Sequence, residues 1–421
     1  MKRATIRIGL AISVLTGIFT ISLAAGAVTC DAIPSPNDAQ PMPVVYVEGA
    51  NAVGPFLVPL QQAMSTDATN PVEIVYIGDG GCLGANNFFT NSAISKSPKP
   101  IYYSGQAQMN CDLPTPAPVA DIVATDVYAP SCGTVPGGQL PANIGSFEGP
   151  VQAMTFVVPK GSSQKSISAS AAYFVFGFGA NSGVAPWTVP TSMYRRNTSS
   201  AVQAFLAIAI GVPLAQWAGV DSGTLDVNKS AGLTGAAAVI NGLLTDANPE
   251  QAIGILAATN LDAQTLTRIN VLAYKDFGQN CGYYPDSSPT ARDKLNVRDG
   301  HYALWGPIRF FTYVDSNGVP RNSHVARLLS YITGTTLAPQ GVDFVQVDAA
   351  NNLVPLCAMR VTRSVELGPL SSYAPPSACG CYFEYVATGQ TSCQACSKRS
   401  DCPASAPVCN LAQPVGFCET Q

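Results

Sequence analysis

Two adjacent arginines followed by four short polar side chains, Arg195-Arg196-Asn197-Thr198-Ser199-Ser200, form the stretch best suited to chemistry in this sequence. The residues after it, Ala201-Val202-Gln203-Ala204-Phe205-Leu206, suit a helix with an apolar face. Asn197, Thr198 and Ser199 are all good N-cap types. A helix start leaves N–H groups unpaired and carries the positive end of the helix dipole. Hydroxyl donors and a guanidinium added there make a site for an oxyanion. A plain capped helix beside two solvated arginines is the competing reading.

Two other stretches bear on the same chemistry. Gly78-Asp79-Gly80-Gly81-Cys82-Leu83-Gly84 follows an apolar run that reads as a strand. Strand, Gly-rich turn and helix let backbone N–H groups approach an anion. The run matches neither a dinucleotide fingerprint nor a P-loop, since no Gly-Lys-Ser/Thr follows, and alone it also reads as a tight turn. Asp126 ends another apolar run, 120–125. A carboxylate at the carboxyl end of a strand is placed for a ligand crevice in an open α/β sheet, or caps the next turn.

Catalytic patterns are few. The chain has two histidines, His301 and His324, and neither has metal-ligand spacing to Cys, Asp or Glu. No Gly-x-Ser-x-Gly elbow occurs. Cys393-Gln394-Ala395-Cys396 could suggest zinc or redox chemistry, but without a nearby His in an exported chain it reads as structural disulfides. We therefore expect no catalytic residue, no metal and no cofactor.

The 421 residues are only 11% charged, with a net charge of -4 and no basic patch, which argues against a disordered chain and against a nucleic-acid binder. Lys2, Arg3 and Arg7, an apolar run over 8–23, and Ala25-Gly26-Ala27 read as a secretory signal with its cleavage site. The protein is expected to be periplasmic, extracellular or at the cell surface. Thirteen cysteines agree with an oxidising compartment. With Cys30 set aside the other twelve pair evenly, and Cys30 could then carry a lipid, although Ala27-Val28-Thr29 is a poor lipobox.

The elements that must position these residues alternate. Strands are expected at 44–47, 72–77, 101–103, 120–125, 151–159, 252–256, 269–272, 310–314 and 342–347. Helices are expected at 53–64, 169–176, from 201 onward, 231–244, 290–295 and 323–331. The pattern predicts an α/β fold with mixed, mainly parallel sheets. From Pro375 the chain turns Cys-rich; so short a segment buries little core, so disulfides should hold it as a separately stapled unit.

The order of these features resembles the phosphate-binding, type II periplasmic solute-binding proteins of ABC transporters, over about 44–331. The matching features are the turn Glu48-Gly49-Ala50-Asn51-Ala52, the Gly-rich loop 78–84, Ala124-Thr125-Asp126, the aromatic-Gly segment leading to Trp187, Arg195 to Phe205, and Ala252-Ile253-Gly254-Ile255. The resemblance implies a two-lobed fold, with the first lobe at 44–150, the second at 151–268 and a return to the first at 269–374; the signal peptide 1–27 and the linker 28–43 precede it, and the Cys-rich tail 375–421 lies outside the family pattern. It implies capture of a phosphate-like oxyanion between the lobes, for an ABC-type membrane importer. Ala50, Asn51, Gly80 and Gly81 would approach the anion. Arg195 or Arg196 would clamp it, and Thr198, Ser199 and Ser200 would donate hydrogen bonds. Asp126 would accept one from a protonated ligand oxygen. The sequence departs from the family at Ala50-Asn51, where a hydroxyl is usual, at Asp79 and Cys82 in place of serines, and at Thr198-Ser199-Ser200, which lacks the family's glycine. The alternative is a secreted or surface structural or adhesive protein that keeps the fold without the ligand.

Overall fold

A computed structural model describes residues 28–133, 135, 138–224, 233 and 235–420, so the expected signal peptide lies outside the described residues. Thirteen of the strands among the described residues of the body are β1 (Val44–Gly49), β2 (Glu73–Ile77), β3 (Ile101–Ser104), β4 (Ala107–Asn110), β5 (Ile122–Thr125), β6 (Ile144–Pro159), β7 (Ser166–Ser168), β8 (Met193–Arg195), β9 (Val220–Asp221), β10 (Ile253–Ala257), β11 (Ile269–Val271), β12 (Ala273–Lys275) and β13 (Trp305–Tyr313), and a short pair, Val361–Thr362 with Ser371–Ser372, follows them. Eleven of them run in one continuous order, β4-β3-β2-β1-β5-β13-β6-β10-β8-β9, with β11 on β6.

The sheet is mixed. β1 lies parallel to β2 and β5, and β8 lies parallel to β10 and β9. Between these parallel groups run β6 and β13, antiparallel to each other from Trp305↔Ala153 to Tyr313↔Ile144. β13 then pairs with β5, and the far half of β6 pairs with β10. These two shared strands join the lobes, giving the two-lobed, mixed α/β course expected, although antiparallel pairings outnumber parallel ones in this sheet, because β6 and β13 run against their neighbours and β2-β3-β4 form antiparallel pairs. The division expected at 150/151 falls within β6. β11, beyond 269, still pairs with β6 at Val157 to Pro159, and the chain recrosses in β13.

The apolar runs of β1, β2 and β5 are buried throughout or nearly so, because helices cover both faces. On one face α1 (Val53–Ser65) and the helix Ser323–Ile332 contribute Phe56, Leu57, Leu60, Val325 and Leu328. On the other, α2 (Gly81–Phe89) contributes Phe88. The second lobe buries α3 (Ala169–Phe178) and α4 (Ala201–Ile210) on one face and the helix Gly235–Thr245 on the other.

Two expectations from sequence fail locally. The run 342–347 is not a strand: Asp343 accepts a hydrogen bond from the Gln346 N–H and starts the helix Phe344–Ala350. The helix expected over 290–295 begins only at Leu295, because Lys294 sits in the left-handed region at φ 47°.

The tail is stapled but not separate. Bridges Cys381–Cys393, Cys396–Cys409 and Cys402–Cys418 lie within it. Cys357–Cys379 ties it to the body, and Tyr382, Phe383 and Phe417 belong to the same core cluster as α3 and α4. Arg298, 1% exposed, donates to the carbonyls of Ala358 at 3.0 Å and Gly380 at 3.1 Å, so a body residue supports the tail helix Gly380–Thr388. The remaining bridges are Cys30–Cys111 and Cys82–Cys132. Cys30 is therefore the buried half of a disulfide and has no thiol for a lipid; the odd cysteine is the exposed Cys281. Six disulfides are the pattern of an oxidising compartment. Among the described residues no helix is long and apolar enough to cross a membrane.

Candidate functional site

Three helix starts meet at one cleft. Asn51 and Ala52 precede α1, Gly80 and Gly81 open α2, and Ser200, Ala201 and Val202 open α4; all line the same space. Each brings unpaired N–H groups and a partial positive charge. Asp126, Arg196, Ala257 and Asn260 complete the lining. The cleft has about 20 Å³ of room, on the scale of a single water, so a larger ligand needs the lobes to part.

Local sequence explains the convergence. Gly80 has φ 116°, a backbone that side chains rarely adopt, and a Cβ there would meet the Ser199 carbonyl oxygen at 3.3 Å. A Cβ on Gly81 would lie 2.9 Å from the Ala201 Cβ, so the starts of α2 and α4 approach closely only because this residue is glycine. The Gly80 N–H donates to the Gly49 carbonyl at 2.9 Å, and the Tyr76 hydroxyl donates to the Ala50 carbonyl at 2.7 Å, which fixes the first two loops to each other and to β2. Ser200 is the N-cap of α4, accepting from the Gln203 N–H, one residue beyond the caps expected from sequence.

The charged groups differ in their partners. Arg195 is spent on Asp221, at 2.8 Å. Arg196 is 6% exposed and forms no ion pair among the described residues, and its Nε–H finds no acceptor there. Burial holds its pKa below the ordinary arginine value, with the Asp126 and Asp221 charges opposing that shift. Asp126, 5% exposed, has its carboxyl pushed up to about 6 by burial, against the opposing pull of Arg196 and of the Gln152 amide. Gln152 Nε2 donates to Asp126 Oδ1 at 3.0 Å, and no described protein donor takes Oδ2.

Asp79 does not line the cleft. Neither of its carboxyl oxygens has a hydrogen-bond partner; burial, with the charge of Glu48 next in effect, pushes the group up to about 8. Its carboxyl is thus held toward the neutral form next to Gly80 of the cleft.

Of the residues singled out from sequence, Asn51, Gly80, Gly81, Asp126, Arg196 and Ser200 come together at the cleft. Ala50 and Ser199 sit beside it; the Ser199 hydroxyl donates to Asn197 Oδ1 at 2.9 Å. Thr198 is exposed and Arg195 is paired elsewhere, so neither lines it. Asn260 and Gln152 were missed. Asn260 follows the end of β10, a position where strand ends build crevices. Gln152 is a lone amide in the apolar run Val151-Gln152-Ala153-Met154 of a crossing strand, which is itself a signal. His301 stacks on Tyr283 with ring centres 5.2 Å apart. Among the described residues, neither His301 nor His324 makes a side-chain hydrogen bond to a serine or a carboxylate.

No family model matches the sequence, and no curated protein does. Solved structures with a similar course include a putative phosphate ABC transporter substrate-binding protein with bound phosphate from Clostridium perfringens (11% identity, 74% of this chain and 99% of that one, TM-score 0.47). An ABC-type phosphate transport receptor from Vibrio cholerae matches at 11% identity, with the same coverage and a TM-score of 0.45. The reduced OxyR regulatory domain from Pseudomonas aeruginosa matches at 9% identity, over 70% of this chain and 97% of that one, with a TM-score of 0.37. Likeness at this level concerns the path of the chain, and neighbours with different roles share it.

Proposed function

We propose that this protein is an extracytoplasmic solute-binding protein that captures a phosphate-like oxyanion between its lobes, for import by an ABC-type membrane complex. The observation that carries the reading is Arg196: a buried guanidinium without an ion-pair partner among the described residues, at a cleft where three helix starts converge. A buried cation without a partner is costly, and an oxyanion bound there supplies the missing charge. Asp126 Oδ2 accepts a hydrogen bond from a protonated ligand oxygen, which favours hydrogen phosphate or arsenate over sulfate. Residues Asn51, Gly80, Gly81 and Ser200 line the anion. The lobes part to admit it and close over it about β6 and β13.

Equilibrium dialysis of the mature chain against labelled phosphate, with sulfate and arsenate as competitors, tests this. Retention of phosphate, displaced by arsenate and not by sulfate, supports it; no retention contradicts it. A second reading, a surface protein that keeps the fold without the ligand, is favoured by the cleft's small volume, about 20 Å³. Under that reading none of the three anions is retained.

A further inference from the structure

We propose that Gln152 is the positioning residue that decides which oxyanions the cleft accepts, by holding Asp126 as a hydrogen-bond acceptor and so admitting oxyanions that carry a proton. This rests on the oxyanion reading and extends it to the selectivity of that site.

Gln152 is fully buried in β6, the strand that joins the lobes. Its amide is engaged at both ends. The Thr259 hydroxyl donates to Oε1 at 3.0 Å, and Nε2 donates to Asp126 Oδ1 at 3.0 Å. Thr259 comes two residues after β10, whose pairing with β6 ends at Ala257↔Met154, and this brings its hydroxyl beside Gln152. With the amide reversed, Oε1 would face Asp126 Oδ1, and two acceptors would meet unless Asp126 carried a proton. The direction of the amide and the protonation of Asp126 are thus coupled: the reversed amide demands the neutral carboxyl, and the observed one favours the charged form. With Nε2 toward it, the amide donates to Oδ1 and favours the ionised carboxylate, which can only accept.

The consequence for a ligand is specific. An ionised Asp126 pairs with an oxyanion that donates a proton, such as hydrogen phosphate, and repels one that donates none, such as sulfate. Without the Gln152 amide nothing in the described protein other than Arg196 favours the ionised form, and burial favours the neutral one. A neutral Asp126 is a donor and suits sulfate. Selectivity then resides in a residue that touches no ligand.

The test uses Gln152→Leu, similar in size and without polar atoms, and Thr259→Val, which frees Oε1 and carries the test if the first variant does not fold. Two readouts separate this role from a merely structural one. Carbon-13 NMR of the Asp126 carboxyl in ligand-free protein is expected to show its titration midpoint moved upward in the variants; an unmoved midpoint overturns the proposal without reference to any ligand. Titration with phosphate and with sulfate at pH 7 is expected to show the phosphate preference reduced by about tenfold, the scale of one hydrogen bond to a charged group. A parent that binds phosphate while the variants keep its preference overturns the role of Gln152 and leaves the oxyanion reading standing. A parent that binds neither anion overturns both.

Discussion

Arg196 and Asp126 line the same cleft without forming an ion pair, while the neighbouring Arg195 is paired with Asp221 at 2.8 Å. Two adjacent arginines thus have different tasks. Replacing Arg196 with Met is expected to weaken anion binding by about a hundredfold or more, the scale of a lost charge-assisted contact. Replacing Arg195 with Ala is expected to change it only a few-fold, because that guanidinium is already engaged. Calorimetric titration of the two variants checks the asymmetry; equal losses would count against it.

Asp126 links stability to pH. Its folded pKa, about 6, is above the ordinary aspartate value, so between roughly pH 4 and 6 the folded state holds a proton that the unfolded state has lost. Stability contributed by this group is present below that window and falls as pH rises through it. The loss is on the order of 3 kcal/mol, and the curve is level above pH 6. Denaturant unfolding of the ligand-free parent and of Asp126→Asn across this range is expected to differ in slope below pH 6; parallel curves would contradict the assignment.

Asp79 governs the alkaline side. Burial and the charge of Glu48 push its pKa up to about 8, which favours the neutral form at pH 7, and it directly precedes Gly80 of the cleft. Above pH 8 its charge develops beside the starts of α1 and α2, so anion affinity is expected to fall there. Asp79→Asn is expected to remove that fall and keep the affinity at pH 7. A fall that persists unchanged in the variant would place its origin elsewhere.

Thiol counting tests the disulfide framework. Peptide mapping of the secreted protein under non-reducing conditions is expected to find one free thiol, at Cys281, and a Cys30–Cys111 cross-link. A lipidated Cys30 would contradict that pairing.

The tail is expected to melt with the body. Tyr382 and Phe383 share the body's core cluster, and Arg298 of the body bonds the Gly380 carbonyl. Calorimetry is expected to show one transition for the two. Replacing Cys357 and Cys379 with Ser is expected to cost about 2–4 kcal/mol. A tail that unfolds by itself in the parent would contradict this coupling.

Much of this arrangement was legible in the sequence, for a physical reason. Parallel strands buried on both faces appear as apolar runs, and β1, β2 and β5 lie where those runs are. The cleft loops were legible because glycines, caps and strand-end carboxylates have few other uses. What escaped depended on tertiary context. The run 342–347 has strand-like valines, yet Asp343 caps a helix there and the tail's Tyr382 hydroxyl bonds the same carboxylate. The choice between Arg195 and Arg196 turned on Asp221, whose approach nothing local foretold. The raised pKa of Asp79 comes first from its burial and then from the charge of Glu48, 31 positions earlier in the chain.

The most direct test of the central claim is calorimetric titration of the mature protein with phosphate and with sulfate at pH 7, with Arg196→Met run in parallel. Phosphate binding by the parent, with sulfate excluded and with the heat lost in the variant, is the expected result. No heat from the parent with either anion, or phosphate binding that survives in Arg196→Met, would contradict the account.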